Sequence, residues 1–542
     1  MTFIDKLDLK KAYKRVQQDK RDDSWPDIIN YRDYEHNLKT NLQVLENSLR
    51  NTSYQPKQLR PINVPKKGWT LRPGDVPEIN DRIIYQALAD FLSPYFSPEK
   101  CVYSNKLTKN TNSTRMFIPG VELWLGFQKD VKKFSGEHPY LVETDITAYF
   151  DHIEHKRMFR KLDDVFSHQI EKSDLTETKK LLKKMWGKWS KNTGYGIPQI
   201  NDASSFFANI FMDDIDKRMI RRGYVFMRYV NDMRVFTDSE PSARKVLSEL
   251  IVELRSSGLY VASAKTKIKR TNMVLEEIKN DETQINAIEA ELKAKKVHNL
   301  QNAAVMLNNF FEEIISDTKN FNGRHFRYCV NRFKKLKVNN LALEVHENVA
   351  NEVLNRLISM PDTTTVFIDY LSLFPESGNV QNQVIEFLES DYNVYPWQEM
   401  LLLELLVRSK IIPKFHNRAM SIARIIARDE QKHTGCREKA FVLWGKNGDY
   451  SDRREIKDWY YKPTSNISVK RAILCAIQEM QPAERNYFLN NAAQDALEIE
   501  IASEYIRQLS GPKYHYYNPP RGFDIVENWD STDIDDLPMP SP

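Results

Sequence analysis

Cysteine is scarce: four residues in a chain of 542, at Cys101, Cys329, Cys436 and Cys475, with no Cys-x-x-Cys pair. That spacing excludes a disulfide framework and a thiolate zinc site, and it suits the reduced thiols of a cytoplasmic protein. No run of about 18 apolar residues occurs, so no membrane span is expected. Met1 is followed by Thr-Phe-Ile-Asp-Lys, which lacks the apolar core of a secretory leader. The chain also has no Gly-x-x-x-x-Gly-Lys phosphate loop, no dinucleotide fingerprint and no His-Glu-x-x-His zinc motif. A strong surplus of either charge is missing too. Lys and Arg number 79 against 74 Asp and Glu, for a net charge of +5. That surplus names no partner but is compatible with a polyanion. The apolar content, 41%, is that of a soluble globular protein, and the length suits roughly two to four domains.

What is present centres on Arg228 to Phe236, Arg-Tyr-Val-Asn-Asp-Met-Arg-Val-Phe. Apolar residues flank a polar interruption, Asn231-Asp232, as in a β-hairpin that displays polar side chains at its tip. Taken alone this is an ordinary turn. A second strand, Tyr140 to Ile146, ends in Asp145. A carboxylate there is costly unless it meets a metal or a base. Between the two lies Gly194-Tyr195-Gly196-Ile197-Pro198-Gln199, a loop that leads into a helix. Asn201-Asp202-Ala203-Ser204 predicts that helix's cap, and Phe206, Phe207, Ile210, Phe211 and Ile215 its apolar face. Upstream, Leu59 to Pro73 reads as a basic hairpin with Lys66-Lys67-Gly68-Trp69 at its turn, followed by a helix at Ile83 to Leu88. Asp81 and Arg82 read as a structural ion pair. A Lys-rich helical stretch at 165–192 interleaves Trp186 and Trp189; it reads first as a solvated face and second as a nucleic-acid track.

The order of these parts is that of motifs A, B and C in a polymerase palm. The chain resembles reverse transcriptases, in particular the bacterial group that includes retron, group II intron and abortive-infection enzymes. The Tyr-x-Asp-Asp box of that family matches Tyr229-Val230-Asn231-Asp232, with Asn231 in place of the first Asp. The resemblance implies an α+β fold: right-hand fingers and palm of the reverse-transcriptase type, followed by an all-α, helical-repeat-like region. It implies that Asp145 and Asp232 hold catalytic Mg²⁺, with Mn²⁺ as a substitute, and that Asn231 contributes an uncharged amide oxygen. It assigns Lys66 and Arg72, with Lys67 as a stand-in, to the triphosphate of an incoming dNTP. Guanidinium and ammonium suit that group chemically. Phe150 falls at the steric-gate position that favours deoxynucleotides, and Gln199 at the residue that packs on the nucleotide. Asp151 matches a structural residue of the family. Lys265, in Lys265-Thr266, matches a lysine that neutralises or protonates the leaving group. Two departures stand out: Ile200 replaces a Gly and Ala262 an Asn.

The implied activity is RNA-directed or template-independent DNA synthesis in anti-phage defence, in a bacterial cytoplasm. Its partners would be dNTPs, an RNA template or non-coding RNA, the DNA product and a possible second copy of the chain. The rival class is a catalytically inactive nucleic-acid scaffold. Asn231 leaves three readings open: an active site with weakened metal binding, a natural non-enzyme, or a box disabled by a deliberate exchange. The expected division is fingers at 1–138, palm at 139–270, helical thumb at 271–340, a helical extension at 341–510 that resembles that of AbiA-type enzymes, and an acidic, Pro-rich tail at 511–542. Helices are expected at 276–298, 300–317, 324–337, 341–358, 380–390, 396–409, 414–428, 434–446, 467–480 and 482–509. Basic clusters at Lys293-Lys295-Lys296 and at Arg332 to Lys337 could follow template or product. Tail tyrosines Tyr514, Tyr516 and Tyr517 are candidate priming hydroxyls.

Overall fold

The computed structural model describes residues 2–20, 23–110, 113–199, 201–294, 296–342 and 344–515. The sequence expectations placed on Ile200, Lys295, Tyr516, Tyr517 and the acidic tail from residue 516 on lie outside these residues. A short ribbon pairs β1 (Asn63–Pro65) with β2 (Leu71–Pro73). The main sheet holds β3 (Tyr140–Asp145), β4 (Val225–Tyr229), β5 (Asp232–Thr237) and β6 (Lys267–Arg270) in the order β4-β5-β3-β6, all antiparallel.

Side-chain alternation along a strand gives this sheet two faces. Val142, Val235, Met233 and Phe226 share a core with the helices Asp202–Arg221 and Glu240–Ser256. Leu141, Met227 and Phe236 pack on the other side against Trp124, Phe127 and Val131 of the helix Gly120–Glu137. The predicted apolar face of Asp202–Arg221 is buried. Its predicted cap differs: the Asn201 side chain donates to the Gln199 carbonyl at 2.8 Å, and Asp19 accepts from the Asp202 N–H at 3.2 Å. A carboxylate brought in from afar therefore serves the positive helix end.

Asp81 and Arg82 are both buried, but they are not partners of each other. Arg82 binds both oxygens of Asp23 at 2.7 Å and Asp19 at 2.8 Å, while Asp81 accepts from Tyr54 Oη at 2.7 Å and the Lys57 N–H at 2.8 Å. Burial pushes the Asp81 carboxyl up to about 6. Its proton is then held more tightly in the folded than in the unfolded chain. This group therefore costs stability at neutral pH, and the cost fades as pH falls from about 7 through about 6 to about 4. Relative to Asp81→Asn, the native chain should gain up to about 3 kcal/mol over that range, from a shift of roughly two pH units. Denaturant titrations across the window check this; parallel curves for the two proteins would contradict it.

From Thr271 on, every described element is helical. The helices Gly323–Val338, Thr364–Leu371, Pro396–Arg408, Thr434–Asn447, Ile467–Ala476 and Leu497–Gln508 stack in succession as one row. His346–Asn355, Gly378–Glu389 and Pro413–Arg428 form a second row beside it. This two-row stacking is how α-solenoids bury a continuous core. Gly445 is required where two first-row helices cross, because a Cβ would lie 2.1 Å from the Ala476 carbonyl oxygen. Expected helix 482–509 is two helices, Pro482–Ala492 and Leu497–Gln508. Asp495, in the break, accepts from Tyr460 Oη and Lys470 at 2.8 Å each. Thr364–Leu371 and Tyr450–Trp459 are helices that no periodicity in the sequence revealed.

Every residue from Trp397 to Val407 is buried, so this first-row helix is covered on both sides. One side meets the second row. The other meets the N-terminal third of the chain: Trp25, Ile28, Ile29, Ile62, Val64 and Val76 share the solenoid core. Arg471 binds Asp27 at 2.5 Å and Asp33 at 2.7 Å, Trp25 donates to Glu438 at 3.0 Å, and Trp397 donates to the Ser24 carbonyl at 2.9 Å. The base of the β1–β2 ribbon is thus clamped by the C-terminal array. All four cysteines are buried. Tyr514 packs on the same core and donates to Glu479 at 2.7 Å, and burial pushes its phenol far above the ordinary value, so it is no free hydroxyl. Among the described residues no helix is long and apolar enough to cross a membrane.

Candidate functional site

The register of β3 against β5 sets Asp145 opposite Asp232. Two carboxylates therefore stand at one end of the sheet on adjacent strands. β4 turns into β5 through Val230 and Asn231 alone. Val230 adopts φ 55°, a conformation that costs a β-branched residue on the order of 1–3 kcal/mol. Two hydrogen bonds hold it there: its N–H donates to Ser104 Oγ at 2.7 Å, and Arg228 Nη1 donates to its carbonyl at 2.8 Å.

Asn231 ties the turn to β3. Its carbonyl accepts from the Ile146 N–H at 3.1 Å, and its Nδ2 donates to Asp145 Oδ2 at 3.0 Å and to the Ile146 carbonyl at 3.3 Å. A carbonyl can only accept, so Ile146 fixes which end of the amide faces Asp145. In this arrangement Asn231 presents a donor to the acid. To offer its oxygen to an ion, the amide would have to rotate and give up both bonds.

The segment after Glu240–Ser256 closes the third side. The Thr147 N–H donates to the Tyr260 carbonyl and the Ala262 N–H to the Asp145 carbonyl, each at 2.8 Å. This brings Lys265 Nζ to 3.3 Å from Asp145 Oδ2. Burial raises the Asp145 carboxyl above its ordinary value, against the pull of Lys265, Lys66 and Asn231. Burial likewise raises Asp232, opposed by Arg234 and reinforced by Glu143 and Asp145. Arg234 Nε lies 3.8 Å from both Glu143 and Asp232. Among the described residues no cluster of three or more His, Cys, Asp or Glu suits a metal ion. Two facing carboxylates do fit one Mg²⁺ of the kind that completes its shell with substrate phosphates and water. A second ion lacks its third acid.

The β1–β2 ribbon lies within electrostatic reach of this tip. Desolvation lowers the Lys66 ammonium, as do Arg72 and Lys265, while Asp145 and Asp151 draw it up; the five groups share one electrostatic neighbourhood. Lys67 is exposed. The Gly196 loop forms the adjoining wall. The Ile197 N–H donates to the Phe150 carbonyl at 3.2 Å and the Gly196 N–H to the Ile153 carbonyl at 2.9 Å, and Gln199 hydrogen-bonds the Asp151 carboxylate. Half-buried Phe150 packs on Tyr149 at a ring separation of 5.3 Å. Lys66, Asp145, Phe150, Gln199, Asn231, Asp232 and Lys265 are thus gathered around one end of the sheet, with Arg72 beside Lys66.

The Lys-rich stretch contributes less than its sequence suggests. Trp186 and Trp189 are core residues, Lys179 pairs with Asp163 at 2.5 Å, and Lys184 is bound to the Tyr54 carbonyl. Lys183 and Lys188 remain exposed.

Sequence reasoning missed the support beneath the hairpin. Arg228 is fully buried and grips Asp216 with two parallel bonds of 2.9 and 2.6 Å, and its Nη1 also reaches Asn209 Oδ1 at 3.2 Å. Cys101 to Tyr103 pairs with the outer edge of β4 through Arg228, at 2.8 Å in both directions, which positions Ser104. A signal existed. Arg228 sits on the inward phase of its strand, and Asn209 and Asp216, seven residues apart, share one face of a mostly apolar helix.

Residues 64–319 match the family model described as reverse transcriptase (RNA-dependent DNA polymerase). Over 185 residues, 34% of its length, the chain is 25% identical to Protein YkfC of Escherichia coli (strain K12), and the match spans about half (47%) of that protein. Among solved structures, telomerase of Candida albicans in complex with a telomeric RNA fragment aligns at 12% identity and TM-score 0.29, over 66% of this chain and 69% of that one. Apo telomerase of Candida tropicalis aligns at 11% identity and TM-score 0.29, over 83% and 69%. Likenesses that distant carry no inference. The architecture is α+β, a reverse-transcriptase-type fingers and palm followed by an all-α stacked array.

Proposed function

We propose that this chain is a nucleotidyltransferase that builds DNA from dNTPs on an RNA template, with Asp145 and Asp232 as its metal-holding acids. The observation that carries the reading is the pairing of these two acids opposite each other on β3 and β5, with Asp145 in electrostatic reach of Lys66. The reverse-transcriptase match over residues 64–319 supports the reaction class. A bound Mg²⁺ or Mn²⁺ would supply charge neutralisation at the phosphoryl oxygens. The protein's part is positioning. Lys66 and Arg72 take the triphosphate, Phe150 and Gln199 wall the sugar and base, and Lys265 gives its charge or proton to the departing pyrophosphate. Anti-phage defence follows from the resemblance to abortive-infection enzymes.

A second reading, an inactive nucleic-acid scaffold of the same fold, is favoured by one observation: the Asn231 amide nitrogen, not its oxygen, faces Asp145. Sequencing the product of a DNA-primed RNA template separates the alternatives. The expected product is a copy of the template. Homopolymer or random DNA would instead mean template-independent synthesis. No product in Mg²⁺ or Mn²⁺, even with Asn231→Asp, would favour the scaffold.

A further inference from the structure

We infer that Trp69, at the tip of the β1–β2 ribbon, is a stacking platform for an unpaired base of the template strand ahead of the active site. This rests on the polymerase reading but adds a residue and a ligand to it. Trp69 is 57% exposed, and Leu71, two residues on, is 50% exposed. Among the described residues the indole has no aromatic or cationic partner. Its backbone is also strained. Gly68 has φ 79°, which glycine adopts freely, but Trp69 follows at φ 66°, where a side chain is disfavoured. The turn's own bonds account for that backbone, since the Lys66 N–H donates to the Thr70 carbonyl at 2.7 Å and the Trp69 N–H to the Lys66 carbonyl at 3.2 Å; no packing within the fold accounts for the exposed ring.

The ribbon beneath is rigid. Val64 and Val76 lie in the solenoid core, and Gly74 is packed so closely on Ser24 and Val64 that a Cβ would clash at 2.6–2.7 Å. The tip therefore projects from a fixed base, with Lys66 of the same turn in electrostatic reach of Asp145. An exposed aromatic ring in a turn that also carries Lys66 and Lys67 has the composition of a single-strand nucleic-acid contact. The face chooses the strand. Arg72 pairs with Val64 and Leu71 with Pro65, so Leu71 points to the opposite face from Arg72. Leu71, the exposed apolar residue next to the turn, is thus turned away from the triphosphate side, which suits the template rather than the incoming nucleotide.

The test is equilibrium binding, without metal, of the full chain to two probes: a DNA-primed RNA template with a short unpaired 5′ overhang, and its blunt counterpart. Trp69→Ala should weaken the overhang probe by roughly 10-fold, the scale of one lost base–aromatic stack, and leave the blunt probe unchanged. Trp69→Phe should retain most of the affinity. Lys67→Ala should lower the salt slope by about 1 on both probes, whereas Trp69→Ala should not. Equal affinity of native chain and Trp69→Ala for the overhang probe would overturn the inference and leave the polymerase reading standing. Equal loss on both probes would overturn it as well. A native chain that binds neither probe would overturn both.

Discussion

Asp145→Ala is expected to lower nucleotide incorporation by on the order of 10³-fold or more, because the charge stabilisation a held metal ion supplies is worth several kcal/mol. The fold should survive. The carboxyl is raised above its ordinary value by burial, so its ionised form is not a net source of stability at neutral pH. Its removal frees the Lys265 ammonium, which is already largely exposed, and one of the two bonds of Asn231 Nδ2. Steady-state incorporation together with thermal denaturation checks both halves. An unchanged rate, or a collapse of the fold that tracks the loss of rate, would contradict the assignment.

Arg228→Met is expected to destabilise the chain by about 3–5 kcal/mol, since it leaves Asp216 charged and unpartnered in the core. Arg228→Met with Asp216→Leu should recover most of that loss, because the double exchange removes both buried charges. Activity should not return with stability. The bond from Arg228 to the Val230 carbonyl is still missing, and with it one of the two clamps on the strained turn. Denaturant titration and incorporation rate, read on the same three proteins, separate the two effects. Double and single variants of equal stability would count against a buried pair as the hairpin's support.

These outcomes divide along what the sequence makes legible. The acid-bearing strands could be read because one strand-like run closes on Asp145 and another opens at Asp232 after a polar interruption. The Gly196 to Gln199 loop could be read from its turn chemistry. Ser104 could not, because nothing local marks a serine whose one role is to accept a backbone N–H 126 residues away. The docking of the C-terminal array on the ribbon was equally hidden: Trp25 and Glu438 meet across 413 residues. All-round apolarity from Trp397 to Val407 signals burial but not by what. At Asn201 local propensity pointed to a cap, and tertiary structure supplied Asp19 instead. At Asn231 the sequence offered an amide; only the Ile146 carbonyl decided which end faces Asp145.

The most direct measurement is primed dNTP incorporation on an RNA template by the native chain, by Asn231→Asp, and by Asp145→Ala on each background, in Mg²⁺ and in Mn²⁺. Asn231→Asp should be the faster parent in Mg²⁺, since it supplies the third acid, and its advantage should narrow in Mn²⁺. Asp145→Ala should abolish synthesis on both backgrounds. Incorporation that persists without Asp145, or no synthesis by either parent in either metal, would contradict a nucleotidyl-transfer centre at the tips of β3 and β5.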